Sequence, residues 1–199
     1  LFYDNFKTNI NQDEKLNKSI NISNIEYNDS EDSIAVIGSG NFTSSVILPS
    51  LKKTNLNIKY LISSNGLSST ILSKKYKIPI TSTDVDKVLN DDKIKGVIIS
   101  TRHDSHADLV IKCLNADKNV FVEKPLCLSL NESYEIKKVA DQANKIVFVG
   151  HLLQYHNAFK VLKKNVQLGK IGHLKIIKCN RLNFGSIRDK ESVLYDLTS

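Results

Sequence analysis

Short apolar-rich runs recur at residues 34–37, 58–62, 78–81, 97–100, 120–122 and 146–149. Runs that stay apolar at successive positions, instead of alternating, mark strands buried on both faces, as in a parallel sheet covered by helices. Between them lie stretches with helical period. In 104–116, Ala107, Val110, Cys113 and Leu114 share one face, and Asp104 or Ser105 stands where a cap belongs. In 129–144, Ile136, Val139, Ala140 and Ala143 repeat at helical spacing, and Ser129 with Glu132 makes a capping-box pattern. Strand and helix in alternation over 33–150 predict an α/β fold, a Rossmann-type doubly wound parallel sheet.

The rhythm fails on both sides of that block. Residues 1–32 are rich in Asn, Asp, Ser and Lys without a sustained apolar period, and read as a disordered linker or the tail of an upstream domain. After Gly150 the pattern gives a helix over about 155–168, a turn at Gly169-Lys170-Ile171-Gly172, and a strand-like stretch over 173–182. Residues 151–199 are read as the start of an α+β open-sheet domain, cut short. The chain begins at Leu1 and holds no Met, which leads to the expectation of an internal piece of a longer protein.

Composition narrows the classes. A hydrophobic share of 41% with 25% charged residues excludes global disorder. The net charge of +7 comes from scattered lysines with no basic run or interleaved aromatics, so no nucleic-acid partner is expected; a mildly basic surface suits a phosphate-bearing ligand. Apolar runs fall far short of the ~18 residues a spanning helix needs, so no membrane partner is expected. Cys113, Cys127 and Cys179 are isolated, which excludes a disulfide framework and fits a reducing cytoplasm.

Candidate chemistry gathers at strand ends. Gly38-Ser39-Gly40-Asn41-Phe42-Thr43 follows the first strand of the block and opens a helix, the setting in which such glycines cradle a dinucleotide pyrophosphate. Gly38 permits the turn and Gly40 close backbone approach; Thr43 replaces the third glycine, so the helix should stand off slightly. At the next strand end the ribose-binding acid is missing: the chain reads Ser63-Ser64-Asn65, with no arginine for a 2′-phosphate either, so NAD and NADP stay open as cofactors. Thr101, Arg102, His103 and His106 follow the fourth strand. The HxxH spacing there is too sparse for zinc, and no metal is expected. Glu123, Lys124 and Pro125 end the fifth strand, at the same carboxyl edge; a lysine there suits proton transfer or polarisation of a hydroxyl.

GSGNFT, TRHDSH and above all EKP, in this order and spacing, resemble the Gfo/Idh/MocA family of NAD(P)-dependent oxidoreductases over 33–199. The resemblance implies a Rossmann domain followed by a sheet domain that covers the nicotinamide and often forms dimers, hence a homo-oligomer. It implies a cis bond before Pro125 and contact of Lys124 with a substrate hydroxyl. It also implies an Asp followed four residues later by a catalytic His; Asp196 would open that pair, its His falling just past Ser199. Cofactor contacts are expected from Gly38, Gly40, Asn41, Phe42, Ser63, Thr101, Arg102, His103, His106, Glu123 and Lys124. Substrate contacts are expected from His151, Tyr155, Asn157, Arg181, Asn183 and Arg188, the two arginines suiting phosphate.

VGHLLQYHNAF and NRLNFGSIRDKESVLYDLTS resemble nucleotide-sugar 3-dehydrogenases of surface-polysaccharide synthesis. GNFTSSVILPSL and STRHDSHADLV resemble oxidoreductases fused behind a zinc-alcohol-dehydrogenase-like domain. The implied activity is hydride transfer between a sugar or nucleotide-sugar hydroxyl carbon and nicotinamide. Rival readings are a non-catalytic dinucleotide sensor, an NAD-dependent glycosidase and an inositol dehydrogenase of the same family.

Overall fold

The computed structural model describes residues 18–22, 25 and 32–180. Seven strands form one sheet in the order β1-β4-β3-β2-β5-β6-β7: β1 Ser19–Asn21, β2 Ser33–Ile37, β3 Asn57–Ile62, β4 Ile80–Ser82, β5 Ile94–Ile99, β6 Asn119–Val122 and β7 Val147–Val149. Strands β2 to β7 are all parallel, as the unbroken apolar runs predict. The reason is visible in β2, where Ala35 and Ile37 enter one core and Val36 the other. Tyr60 and Ile62 of β3 side with the first core and Leu61 with the second.

The second core lies under α1 (Leu48–Leu51) and α2 (Gly66–Tyr76), through Leu48 and Leu72. The first lies under α3 (Asp86–Leu89), α4 (His106–Asn115) and α5 (Leu130–Ala143). Ala107, Val110, Cys113 and Leu114 of α4 are all buried there, as their spacing requires. The capping box of α5 forms in full: the Ser129 hydroxyl accepts from the Glu132 amide, and the Glu132 carboxylate accepts from the Ser129 amide. At the expected start of α4, the Ser105 hydroxyl instead donates to the Arg102 carbonyl at 2.8 Å and leaves the helix amides uncapped.

The amino end of the sheet is fastened around Asp91. Its carboxylate pairs with Lys59 at 2.8 Å and accepts from Tyr60 Oη at 2.9 Å, while its carbonyl accepts from Lys118 Nζ at 2.8 Å. Burial pushes this carboxyl up, but the hydrogen bonds from Lys59, the Lys93 amide and Tyr60 outweigh it and hold it below its ordinary value.

Two expectations need correction. Within 1–32, Ser19–Asn21 is not linker but a strand, antiparallel to β4, its ends tied by Ile22 N to Pro79 O and Thr83 N to Lys18 O. The exposed edge of β4 offered unpaired backbone groups, and a polar segment satisfies them without a large apolar face. Conversely, the described part of the expected strand 173–182 forms no ladder, since no described strand lies beside it. The helix predicted near 155–168 forms as α6, Asn157–Gln167.

Leu153, Val161, Leu162, Leu174, Ile176 and Ile177 are more than half exposed, and exposed large apolar side chains favour association. The chain should therefore self-associate in sedimentation at concentrations where a version ending at Gly150 remains monomeric; equal monomeric behaviour would count against this.

Candidate active site at the carboxyl edge of the sheet

Because β2 to β7 run parallel, their carboxyl ends share one edge, and the strand order reverses at β2: β3 and β4 follow on one side, and the chain then crosses from β4 to β5 on the other. Ligands of such sheets bind at this reversal. Gly38 ends β2 there with φ of +110°, a conformation a side chain resists. A Cβ on Gly38 would sit 2.1 Å from the Ser100 carbonyl oxygen. The turn is gripped from both flanks: Gly38 N–H donates to Ile62 O and Ser100 N–H donates to Ile37 O, each at 2.8 Å.

Beyond it, Gly40 is exposed, and a Cβ there would meet nothing within 4 Å, so open space faces the backbone. Asn41 is exposed and Phe42 half-buried; the Asn41 carbonyl accepts from the Ser44 and Ser45 hydroxyls. Thr43 is fully buried. The turn it opens, Thr43–Ile47, is π-helical, with Leu48 N–H donating to Thr43 O. Pro49 has no amide to continue ordinary bonding, so the widened turn precedes it.

At the end of β3, Ser63 is joined to its surroundings by hydroxyls: Ser39 Oγ donates to Ser63 Oγ, and Ser39 and Ser68 Oγ lie 2.7 Å apart. After β5, Thr101 Oγ1 meets Ser105 Oγ at 2.7 Å, and Arg102 is exposed. His103 is partly buried, its ring edge-on to that of His106 at 5.7 Å.

His106 departs from the expected cofactor contact. It is fully buried, with Nδ1 2.7 Å from the Pro125 carbonyl and Nε2 3.3 Å from the Thr101 carbonyl. As the first residue of α4 it points under the sheet edge, where it clasps the turns after β5 and β6. A neutral imidazole carries a single N–H, so only one of these two carbonyls can receive its hydrogen bond, and the Pro125 carbonyl is the closer. Among the described residues no group of three His, Cys, Asp or Glu side chains is arranged to hold a metal.

The turn after β6 carries Glu123, Lys124 and Pro125, and the Lys124–Pro125 bond is cis. Glu123 N–H donates to Ile99 O at 2.9 Å, which fixes its backbone beside β5. Its Oε1 is buried without a hydrogen-bond partner, against Gly150 at the end of β7. A Cβ on Gly150 would come within 2.9 Å of that oxygen and 3.2 Å of the Phe121 ring. Burial raises the Glu123 carboxyl above its ordinary value, against the Lys124 amide hydrogen bond and the Lys124 charge, which lower it. Lys124 is partly buried beside it.

His151, Tyr155 and Asn157 are exposed beyond Gly150. Tyr155 continues an aromatic row from Phe121 through Phe148, with centroid spacings of 5.6 and 5.7 Å. Arg181, Asn183, Arg188 and Asp196 lie outside the described residues. Sequence reasoning missed Gly150, Ser39 and Ser68; a glycine closing the last strand was the one available signal.

The residues present fit a dinucleotide: a glycine turn no side chain can enter, open space before Gly40, and an orphaned carboxylate oxygen that needs a donor. Residues 33–151 match the family described as "Oxidoreductase family, NAD-binding Rossmann fold" (Gfo/Idh/MocA), and the chain belongs to that family. It is 37% identical over 91 residues to scyllo-inositol 2-dehydrogenase (NAD(+)) of Bacillus subtilis, covering 46% of this chain and 27% of that protein. It is 29% identical over 147 residues to myo-inositol 2-dehydrogenase of Thermotoga maritima, covering 73% of this chain and 43% of that one. In fold it matches KijD10, a 3-ketoreductase from Actinomadura kijaniata solved with TDP-benzene and NADP, at a TM-score of 0.64 and 18% identity, over 69% of this chain and 44% of that one. The chain thus spans less than half the length of each of these relatives.

Two substitutions probe this edge. Gly38→Ala should destabilise the chain by more than about 2 kcal/mol in urea unfolding, through positive φ and the Ser100 clash together. Glu123, with its raised folded value, binds a proton more tightly folded than unfolded. Its contribution is therefore intact below the ordinary 4.5 and is lost as pH rises through the folded value. Glu123→Gln should abolish that decline and be the more stable form at neutral pH, measured by urea unfolding across pH.

Proposed function

We propose that this chain is the cofactor-binding part of an enzyme that transfers a hydride between a hydroxyl-bearing carbon of a sugar or nucleotide sugar and NAD or NADP. One observation carries the reading: the Glu123-Lys124-Pro125 turn stands at the carboxyl edge that also holds the Gly38 turn and Thr101. The inositol dehydrogenases among the relatives support a polyhydroxylated ring as substrate, and the 3-ketoreductase solved with TDP-benzene supports a nucleotide-sugar variant.

When bound, the dinucleotide supplies the hydride acceptor or donor. Gly38, Gly40, Asn41 and Phe42 receive its phosphates, and Ser63 its ribose. Thr101, Arg102 and His103 border it from β5, and Glu123 Oε1 accepts a hydrogen bond from it. Lys124 polarises the substrate hydroxyl and helps carry its proton, with Asp196 serving a proton acceptor from the rest of the protein. His151, Tyr155, Asn157, Arg181, Asn183 and Arg188 then face substrate as the first residues of a second domain from 151 onward. We place the protein in the reducing cytoplasm, since Cys113, Cys127 and Cys179 are all free. Among the described residues no helix is long and apolar enough to cross a membrane. The exposed apolar residues of α6 and the segment after it suit a homo-oligomer.

The test is a panel of inositols, sugars and nucleotide sugars, given with NAD or NADP to the full-length protein, with cofactor reduction followed by absorbance. Lys124→Ala should lower turnover by about 10² to 10⁴ while cofactor affinity stays near wild type. Near-normal turnover in that variant would remove Lys124 from the chemistry.

A further inference from the structure

In sheets of this kind the adenosine ribose is read at the carboxyl end of the strand after the glycine turn, where an acid takes the 2′-hydroxyl and an arginine a 2′-phosphate. Here that strand is β3, and neither residue is present. Ser63-Ser64-Asn65 follows Ile62, and residues 61–68 contain no charged side chain. In their place three hydroxyls converge from three elements: Ser39 of the glycine turn, Ser63 of the strand end and Ser68 in the first turn of α2. Ser63 Oγ also accepts from the Asn65 amide at 3.2 Å.

Among the described residues, the carboxylates around this point are turned elsewhere. The first turn of α2 carries no acid, and the Asn65 side chain caps it by accepting from the Leu67 amide. Asp84, the nearest acid beyond β4, accepts from the Asp86 amide at the start of α3. It lines a hollow with Tyr60, Asp91 and Asp92, and Tyr60 belongs to the core on the α4 side, opposite α2.

We infer that this ribose site does not discriminate between the two dinucleotides, so that the chain binds NADH and NADPH with near-equal affinity. The inference rests on the oxidoreductase reading above. Hydroxyls donate and accept alike, so they serve a ribose hydroxyl or a phosphate oxygen by turning their protons. No carboxylate of residues 61–68 repels the 2′-phosphate and no guanidinium there grips it bidentately; Lys18, which shares a hollow with Gly66, offers only a point charge. The amide end of α2 and the net charge of +7 offset the added negative charge.

The experiment titrates this chain with NADH and with NADPH at one fixed salt concentration, following reduced-cofactor fluorescence. The two Kd values should agree within about tenfold. Ser64 is exposed, so Ser64→Asp should leave the fold intact; it should weaken NADPH at least about tenfold more than NADH, and Ser64→Arg should tighten NADPH selectively. A wild-type preference beyond about tenfold in either direction overturns the inference and leaves the oxidoreductase reading standing. Equal effects of Ser64→Asp on both cofactors also overturn it, by showing that the 2′-position lies elsewhere. Binding of neither cofactor would sink both readings together.

Discussion

The approach of Ser100 to Gly38 sets the geometry of everything at the carboxyl edge. With the Ser100 carbonyl oxygen 2.1 Å from where a Cβ would stand, only a glycine lets β2 turn away while β5 passes beside it. The backbone bonds on either flank, Gly38 to Ile62 and Ser100 to Ile37, then lock three strand ends in register. The residues that leave those ends, Ser39 with Gly40, Ser63 and Thr101, inherit their relative positions from that contact. A backbone constraint thus underlies the placement of these three strand ends.

The other half of the edge depends on His106. Its ring spans two carbonyls from turns that follow different strands, so the Glu123–Pro125 turn cannot shift independently of Thr101. Gly150 completes the seat by leaving room for the Glu123 carboxyl, whose burial raises its proton affinity. Backbone, imidazole and a second close-packed glycine together place Lys124 where a turn after a strand would otherwise leave it loosely held.

Legibility followed burial. Strands β2 and β3 were readable because both faces are covered, so apolar residues at successive positions had no other explanation, whereas β6 buries Val120 and Val122 on one face and carries Phe121 half-buried on the other. The capping box of α5 was readable because it is local. Strand β1 was not: Ser19-Ile20-Asn21 offers one apolar residue, and only the vacant edge of β4 makes it a strand. Residues 173–180 failed in the opposite sense, with a strand-like pattern but no neighbour to pair with among the described residues. The glycine turn and the EKP turn were legible from motif and position, whereas the role of His106 was not, since its partners are carbonyls that leave no trace in sequence. Ser39 and Ser68 were invisible for a related reason, being ordinary serines until folding brings three elements together.

The Asp91 cluster lies at the end of the sheet away from the glycine turn. It joins Lys59, Tyr60 and Lys118, from β3 and the approach to β6, through one carboxylate and one carbonyl. None of these bonds involves a residue of the carboxyl-edge turns. Fastening and chemistry are therefore separated along the strand axis, and the loops that choose cofactor and substrate can diverge in evolution without loosening the lower latch.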